Sequence, residues 1–171
     1  GYANANDNYQ PGSVHPDQHA LVFAADGTIY AGNDGGVYKT TAGGMTWSNC
    51  NAGLDALQLY AAAVSTSAQG TVIYRGAQDN GVSRYDGAGP WTTVVGTDGT
   101  LGAIDPTDAA IAYVALTRGR LFKTTDRGHT WTPITGRGGA NDPASDPRLG
   151  VVAPFVLDHA DPHRLLIGTY R

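Results

Sequence analysis

The sequence predicts an all-β chain of β-propeller blades, each a sheet of four antiparallel strands, with three full blades and an incomplete fourth. Three observations carry that prediction. All three tryptophans close versions of one phrase: Val37-Tyr38-Lys39-Thr40-Thr41-Ala42-Gly43-Gly44-Met45-Thr46-Trp47, Leu121-Phe122-Lys123-Thr124-Thr125-Asp126-Arg127-Gly128-His129-Thr130-Trp131, and a worn copy running from Val82 to Trp91. The tryptophans stand 44 and 40 residues apart, a period that belongs to blades of short strands. Finally, the composition suits turns rather than helices. The 171 residues hold 24 Gly and 9 Pro, the 15 acidic residues are all Asp, and Lys39 and Lys123 are the only lysines.

Each element follows from local chemistry. Val-Tyr-Lys alternates as a half-buried strand does, the Gly/Asp-rich centre turns the chain, and Thr-Trp opens the returning strand. In the full copy the Asp126 carboxylate can accept bonds from its own turn amides. Gly128 takes positive φ, and Thr124 and Trp131 tie the hairpin to the sheet. A second phrase precedes each outer hairpin: an apolar strand, an Asp/Pro/Gly turn and another apolar strand. It runs Leu21 to Gly32, Ala61 to Gly76, Ala103 to Ala115 and Val156 to Gly168. Four inner hairpins against three outer ones place blades at about 20–52, 58–96, 100–136 and an incomplete 150–171, after a lead-in over 1–19. The whole chain 1–171 reads as a single propeller domain or a piece of a larger propeller. Residues 1–13 are the alternative source of an outer strand that would close a ring of four. Open strand edges would be covered by the remaining blades or a second subunit.

The phrase Thr-x-Asp-x-Gly-x-Thr-Trp resembles the Asp box of BNR-repeat propellers, a superfamily with sialidase-like, xyloglucanase-like and sortilin-like members. The resemblance implies a structural turn on the face away from any active site. Ala42 replaces the aspartate in the first copy, and the middle copy is one residue short with Pro90 before Trp91, so neither position carries chemistry. The bacterial members are mostly exported, which implies an extracellular or periplasmic location.

If strands run a to d from the channel outward, the a–b and c–d turns share one face and the b–c and d–a loops the other, the usual binding face of a propeller. On that second face lie the b–c loops Asn33-Asp34-Gly35-Gly36, Gln78-Asp79-Asn80-Gly81 and Thr117-Arg118-Gly119. The d–a loops there are Thr97-Asp98-Gly99 and residues 136–150. Convergent polar loops make a ligand site, so Asn33, Gln78, Asn80, Asp98 and Arg118 are candidate binding residues. Asn-Asp-Gly-Gly and Asp-Asn-Gly are equally the chemistry of tight turns.

His15-Pro16-Asp17-Gln18-His19 precedes the first inner strand. In extended chain, residues i, i+2 and i+4 point one way, so His15, Asp17 and His19 can converge. Three readings are open: a hydrogen-bonded cluster that orients a loop, a ligand-binding or catalytic group, or a zinc-type ligand set. Similar His-x-Asp-x-His segments followed by an Asn-Asp-Gly-Gly loop occur in the resembling families, so the pairing of this segment with Asn33 and Asp34 strengthens the resemblance, and His15, Asp17 and His19 are candidate ligand-binding residues. No metal or other cofactor is assigned. The run Asn4-Ala5-Asn6-Asp7-Asn8 offers oxygen donors but lacks a recognised ligand spacing and is read as polar lead-in.

Residue types limit the function classes. A sialidase site needs an arginine trio and a Tyr/Glu pair; this chain has no Glu and its arginines do not fall at matched blade positions. Inverting hydrolysis needs two carboxyls about 6.5–9.5 Å apart. Asp34 and Asp79, in equivalent loops of neighbouring blades, are the candidate catalytic pair, although the resembling xyloglucanases divide acid and base between two propellers. A net charge of −4 argues against nucleic acid, and no apolar run is long enough to span a membrane. The sequence opens at Gly1 without a charged-then-apolar leader, so the expectation is that any signal peptide has been removed or was never present, and Cys50, the single cysteine, can make no intrachain disulfide. The favoured expectation is therefore a binding or scaffolding module for a glycan or protein partner, with Tyr60, Tyr85 and Tyr170 available to stack on sugars. The alternatives are part of a glycoside hydrolase using paired aspartates, or a structural or assembly subunit of a larger complex. Exposed basic residues such as Arg118, Arg120 and Arg148 would favour the last.

Overall fold

The structure is a computed structural model that describes residues 14–54, 57–67, 70–139 and 142–169. The strand assigned to residues 1–13, the Asn4–Asn8 run and Tyr170 lie outside the described residues. The chain divides into two compact units, Gly1–Leu57 and Gln58–Arg171. The first unit holds one blade, β1(Gln18–Phe23), β2(Ile29–Asn33), β3(Gly36–Thr40) and β4(Ser48–Asn49), paired antiparallel in sequence order.

The second unit holds the rest. One blade is β5(Leu59–Ser67), β6(Gly70–Ala77), β7(Gly81–Tyr85) and β8(Thr92–Val95), and the next is β9(Gly99–Ile104), β10(Ala112–Leu116), β11(Leu121–Thr124) and β12(Thr132–Pro133). The incomplete blade is the pair β13(Phe155–Leu157) and β14(Leu165–Ile167). The all-β class of four-stranded antiparallel blades is thus the observed one, every sheet a meander, with two single 3-10 turns at Thr117–Gly119 and Pro143–Ser145. One boundary shifts. β1 starts at Gln18, so His19 belongs to a strand rather than to the lead-in.

β10 shows why consecutive sheets stack face to face. All five of its residues are buried. Ala112, Val114 and Leu116 pack against Val72, Tyr74 and Val82 of the preceding blade, while Tyr113 and Ala115 pack with Leu121 against Phe155 and Leu157 of the following one. Side chains alternate between faces along a strand, so a strand covered on both sides must be apolar at every position, as Ala-Tyr-Val-Ala-Leu is.

The outer hairpins carry the tryptophans as expected. The Thr124 hydroxyl donates to Asp126 Oδ1 at 2.7 Å and accepts from the Gly128 amide at 2.9 Å. Asp126 also accepts from the Thr130 amide at 2.9 Å and its hydroxyl at 2.6 Å. These bonds, the Thr130 hydroxyl foremost, hold the Asp126 carboxyl well below the usual carboxylate range. Trp131 Nε1 donates to Gly128 O at 3.2 Å, and the indole meets Tyr74 edge-on with centroids 5.4 Å apart. The first blade repeats the frame without the aspartate: Thr40 Oγ1 accepts from the Ala42 and Gly44 amides, and Trp47 Nε1 donates to Gly44 O at 3.1 Å. Trp91 differs. It leans on Tyr85 and takes Arg75 over its ring at 3.9 Å, because the shortened turn supplies no matching frame.

Inner hairpins repeat a carboxylate-capped turn. Asp26 accepts from the Thr28 amide, Asp105 from the Thr107 amide and hydroxyl and the Asp108 amide, and Asp158 from the Ala160 and Asp161 amides. Asp105 is 4% exposed. Burial opposes its charge, yet the bonds from Thr107 and Asp108 outweigh it and leave the carboxyl below its ordinary value.

Candidate functional site

The meander order sets the b–c and d–a loops at one end of each blade, opposite the Asp126-type turns. In the first unit, His15 and Asp17 precede β1, while Asn33 and Asp34 form the β2–β3 turn. His15 Nδ1 lies 3.5 Å from Asp17 Oδ2, and the Asp17 amide donates to the same nitrogen at 3.3 Å. His15, Asp17 and Asp34 each bring a donor atom within 4.8 Å of the others. His19 Nε2 contacts Asp34 Oδ1. His15 and Asp17 thus stand beside Asp34 from the turn, and His19 touches Asp34. The bulge between Gln18 and Ala20 breaks the strict i, i+2, i+4 alternation on which a simple triad would rest.

Gln18 and Asn51, which local reading did not single out, hold this corner together with Asn33. Gln18 Nε2 donates to His15 O, and Asn33 Nδ2 reaches Gln18 Oε1 at 3.4 Å. The Asp34 amide donates to Asp17 O at 3.3 Å. Asn33 Oδ1 accepts from the Gly35 amide at 2.9 Å, so Asn33 shapes the turn. Asn51 clamps the same turn, accepting from Val37 N and donating to Gly35 O, both at 2.7 Å. Thr135 does the same for the third blade, accepting from Leu121 N and donating to Gly119 O, also at 2.7 Å. The signal was available: both clamps lie 14 residues after the amide they cap.

In the second unit, Asp98 ties two b–c loops together. Its carboxylate accepts from the Asp79 amide at 2.8 Å and its carbonyl from the Thr117 amide at 3.2 Å. Gln78 accepts from Tyr60 OH at 3.1 Å, and Asn80 Nδ2 donates to Gln78 O at 2.9 Å. Asp79, Thr97 and Arg118 all have positive φ, at 57°, 69° and 59°. Three such non-glycine residues on one end of two adjacent blades mark backbone held by its surroundings, a condition that clusters at functional sites. Asp34 and Asp79 keep equivalent b–c turn positions, one in each unit.

The long d–a segment folds over the third blade. Asp142 accepts from the amides of Gly136, Arg137, Gly138 and Ala144 at 2.7 to 3.1 Å, and these bonds, that from Gly136 foremost, hold its carboxyl below the ordinary value. The Arg118 amide donates to Val151 O at 3.0 Å. Between the loops lies an open depression of about 560 Å³, lined by Thr117, Arg118, Arg120, Gly136, Gly138, Ala144 and Ser145. Arg118 and Arg120 are both exposed, and Arg120 Nη2 donates to Thr97 Oγ1 at 3.1 Å. Arg120, Ser145 and Asp142 join the candidate residues because their segments meet only in the folded chain.

Fold and topology define an all-β protein built of propeller-type blades. No family model matches the sequence, and no curated protein matches it. Among solved structures it is similar to the crystal structure of the GH74 xyloglucanase from Xanthomonas campestris, at 19% identity and a TM-score of 0.49, over 90% of this chain. The match spans 27% of that protein's chain. Among the described residues no helix is long and apolar enough to cross a membrane.

Proposed function

We propose that the chain is a binding or scaffolding module that recognises a glycan or protein partner through its b–c and d–a loop face. The observation that carries this reading is the depression between the third blade's b–c loop and the 136–150 segment, with Arg118 and Arg120 at its wall. A concave site with a few convergent polar groups is the usual form of a ligand pocket. Guanidinium forks and the hydroxyls of Thr117 and Ser145 supply donors suited to sugar oxygens, carboxylates or backbone carbonyls. The neighbouring acids Asp142 and Asp146 are engaged, the first by loop amides and the second by Arg148 at 3.1 Å, so they leave the arginines for a partner.

The same reading assigns further blades or a second subunit to the apolar side chains exposed on each unit, Leu21, Val22 and Phe23 in the first and Val156 and Leu166 in the second. It goes with an extracellular or periplasmic location, with no nucleic acid as partner and with no membrane span.

The test is a glycan array and proximity cross-linking, each with the unaltered chain and with Arg118→Ala. Loss of a hydrogen bond to a charged group costs about 1.5–3 kcal/mol, so binding should weaken by roughly tenfold or more while the fold is kept. Binding that is indifferent to Arg118→Ala overturns the assignment of this face. Glycan cleavage that disappears in Asp34→Asn and Asp79→Asn would replace the binding reading with a hydrolase one.

A further inference from the structure

We propose that the corner of the first blade formed by His15, Asp17 and Asp34 is a binding site for a divalent transition-metal ion of the zinc class. This departs from the expectation of no metal and rests on the first unit alone, independently of the Arg118 depression. One imidazole and two carboxylates present a donor atom each within 4.8 Å of one another. Ligands at about 2.1 Å from a tetrahedral ion stand about 3.4 Å apart. His15 Nδ1 and Asp17 Oδ2 stand 3.5 Å apart.

His15 Nδ1 suits a ligand role. The Asp17 amide donates to His15 Nδ1 at 3.3 Å, a bond in which that nitrogen offers its lone pair. A metal ion would take over a lone pair already directed at the Asp17 segment. A mixed nitrogen and oxygen set of this kind favours zinc-class ions over calcium, which takes oxygen ligands alone.

The supports are what a preorganised site requires. His15 is only 11% exposed at its side chain, and an added Cβ at Gly35 would come within 3.0 Å of the His15 Cβ, so the imidazole stem is packed on the turn that carries Asp34. Gln18 holds the His15 carbonyl, Asn33 holds Gln18, and the Asp34 amide is bound to the Asp17 carbonyl. His19, through its contact with Asp34 Oδ1, is a positioning residue that orients the carboxylate, as outer partners of metal ligands do.

The experiment uses the complete chain, stripped by chelator and titrated calorimetrically with Zn²⁺ and separately with Ca²⁺. Expected are uptake of one Zn²⁺ per chain, loss of that uptake in His15→Ala and Asp34→Asn, and a weakening of about tenfold in His19→Ala. Asp17→Asn, at a side chain 60% exposed, removes a ligand at a position where folding tolerates change. Replacing His129, His159, His163 and Cys50 together should leave the uptake unchanged. Should the ligand variants not fold, Co²⁺ added to the unaltered chain must broaden the NMR signals of residues 15–19 and 33–35 selectively. No stoichiometric Zn²⁺ uptake, uptake equal in the folded ligand variants, preference for Ca²⁺, or broadening centred elsewhere each overturns the proposal.

Discussion

Ala42 and Asp126 occupy the same turn position in two blades, and the difference between them isolates what one carboxylate does. Both turns keep the threonine hydroxyl that caps two amides and the indole bond that pins the returning strand. The backbone is matched as well, Gly43 at φ 61° standing where Arg127 stands at 59°. With Ala42 in place of the aspartate, the first blade has no carboxylate there to accept from the Thr40 hydroxyl, as Asp126 does from Thr124, or from the Thr46 amide and hydroxyl, as Asp126 does from Thr130. Ala42→Asp should restore those bonds and stabilise the first blade by on the order of 1 kcal/mol, read as a higher melting temperature. No gain would mean that the turn is held by Thr40 alone. Residues of this kind were legible in the sequence because a turn carboxylate bonds within four residues of itself. Gln18 and Asn51 were not, because their partners are brought to them by strand pairing.

At the scale of the strand, β10 and β11 carry the second unit. Leu121 is 1% exposed and sits in the cluster that joins the third blade to β13 and β14. Leu121→Ala should cost about 2–5 kcal/mol, the range for a buried leucine whose cavity cannot collapse. Denaturant unfolding checks it, and a loss below about 1 kcal/mol would show that the incomplete blade is not packed on its neighbour. Strand positions and hairpin turns could be read from alternation and Gly/Asp punctuation, and the meander order followed from short connections. The bulge at Gln18/Ala20 and the 3-10 turn with Arg118 at positive φ left no such mark. Both answer to the fit of neighbouring segments.

Across the whole molecule, several aspartates act as acceptors for turn and loop amides, and this gives the protein a sign of pH dependence. Asp26, Asp105, Asp126 and Asp142 all have carboxyls held below the ordinary value by hydrogen bonds from neighbouring amides and hydroxyls. A folded-state value below the unfolded one stabilises above the unfolded carboxyl range, about 4, and that stability is lost as pH falls through the folded values. The melting temperature should therefore be flat from about pH 5 to 7 and decline steadily below about 4. A flat profile to about pH 2.5 would mean these bonds persist with neutral carboxyls.

The amino-acid sequence by itself determined the all-β class, the blade period, the four inner hairpins and the carboxylate-capped turns, since each depends on residues close along the chain. Only the tertiary structure decided that Asp34 joins His15 and Asp17, that Asp98 clasps two loops, and that Arg118 and Arg120 face the 136–150 segment across a depression. Those relations join residues separated by whole strands. Their distances are set by how sheets pair, bulge and stack, which no local pattern records.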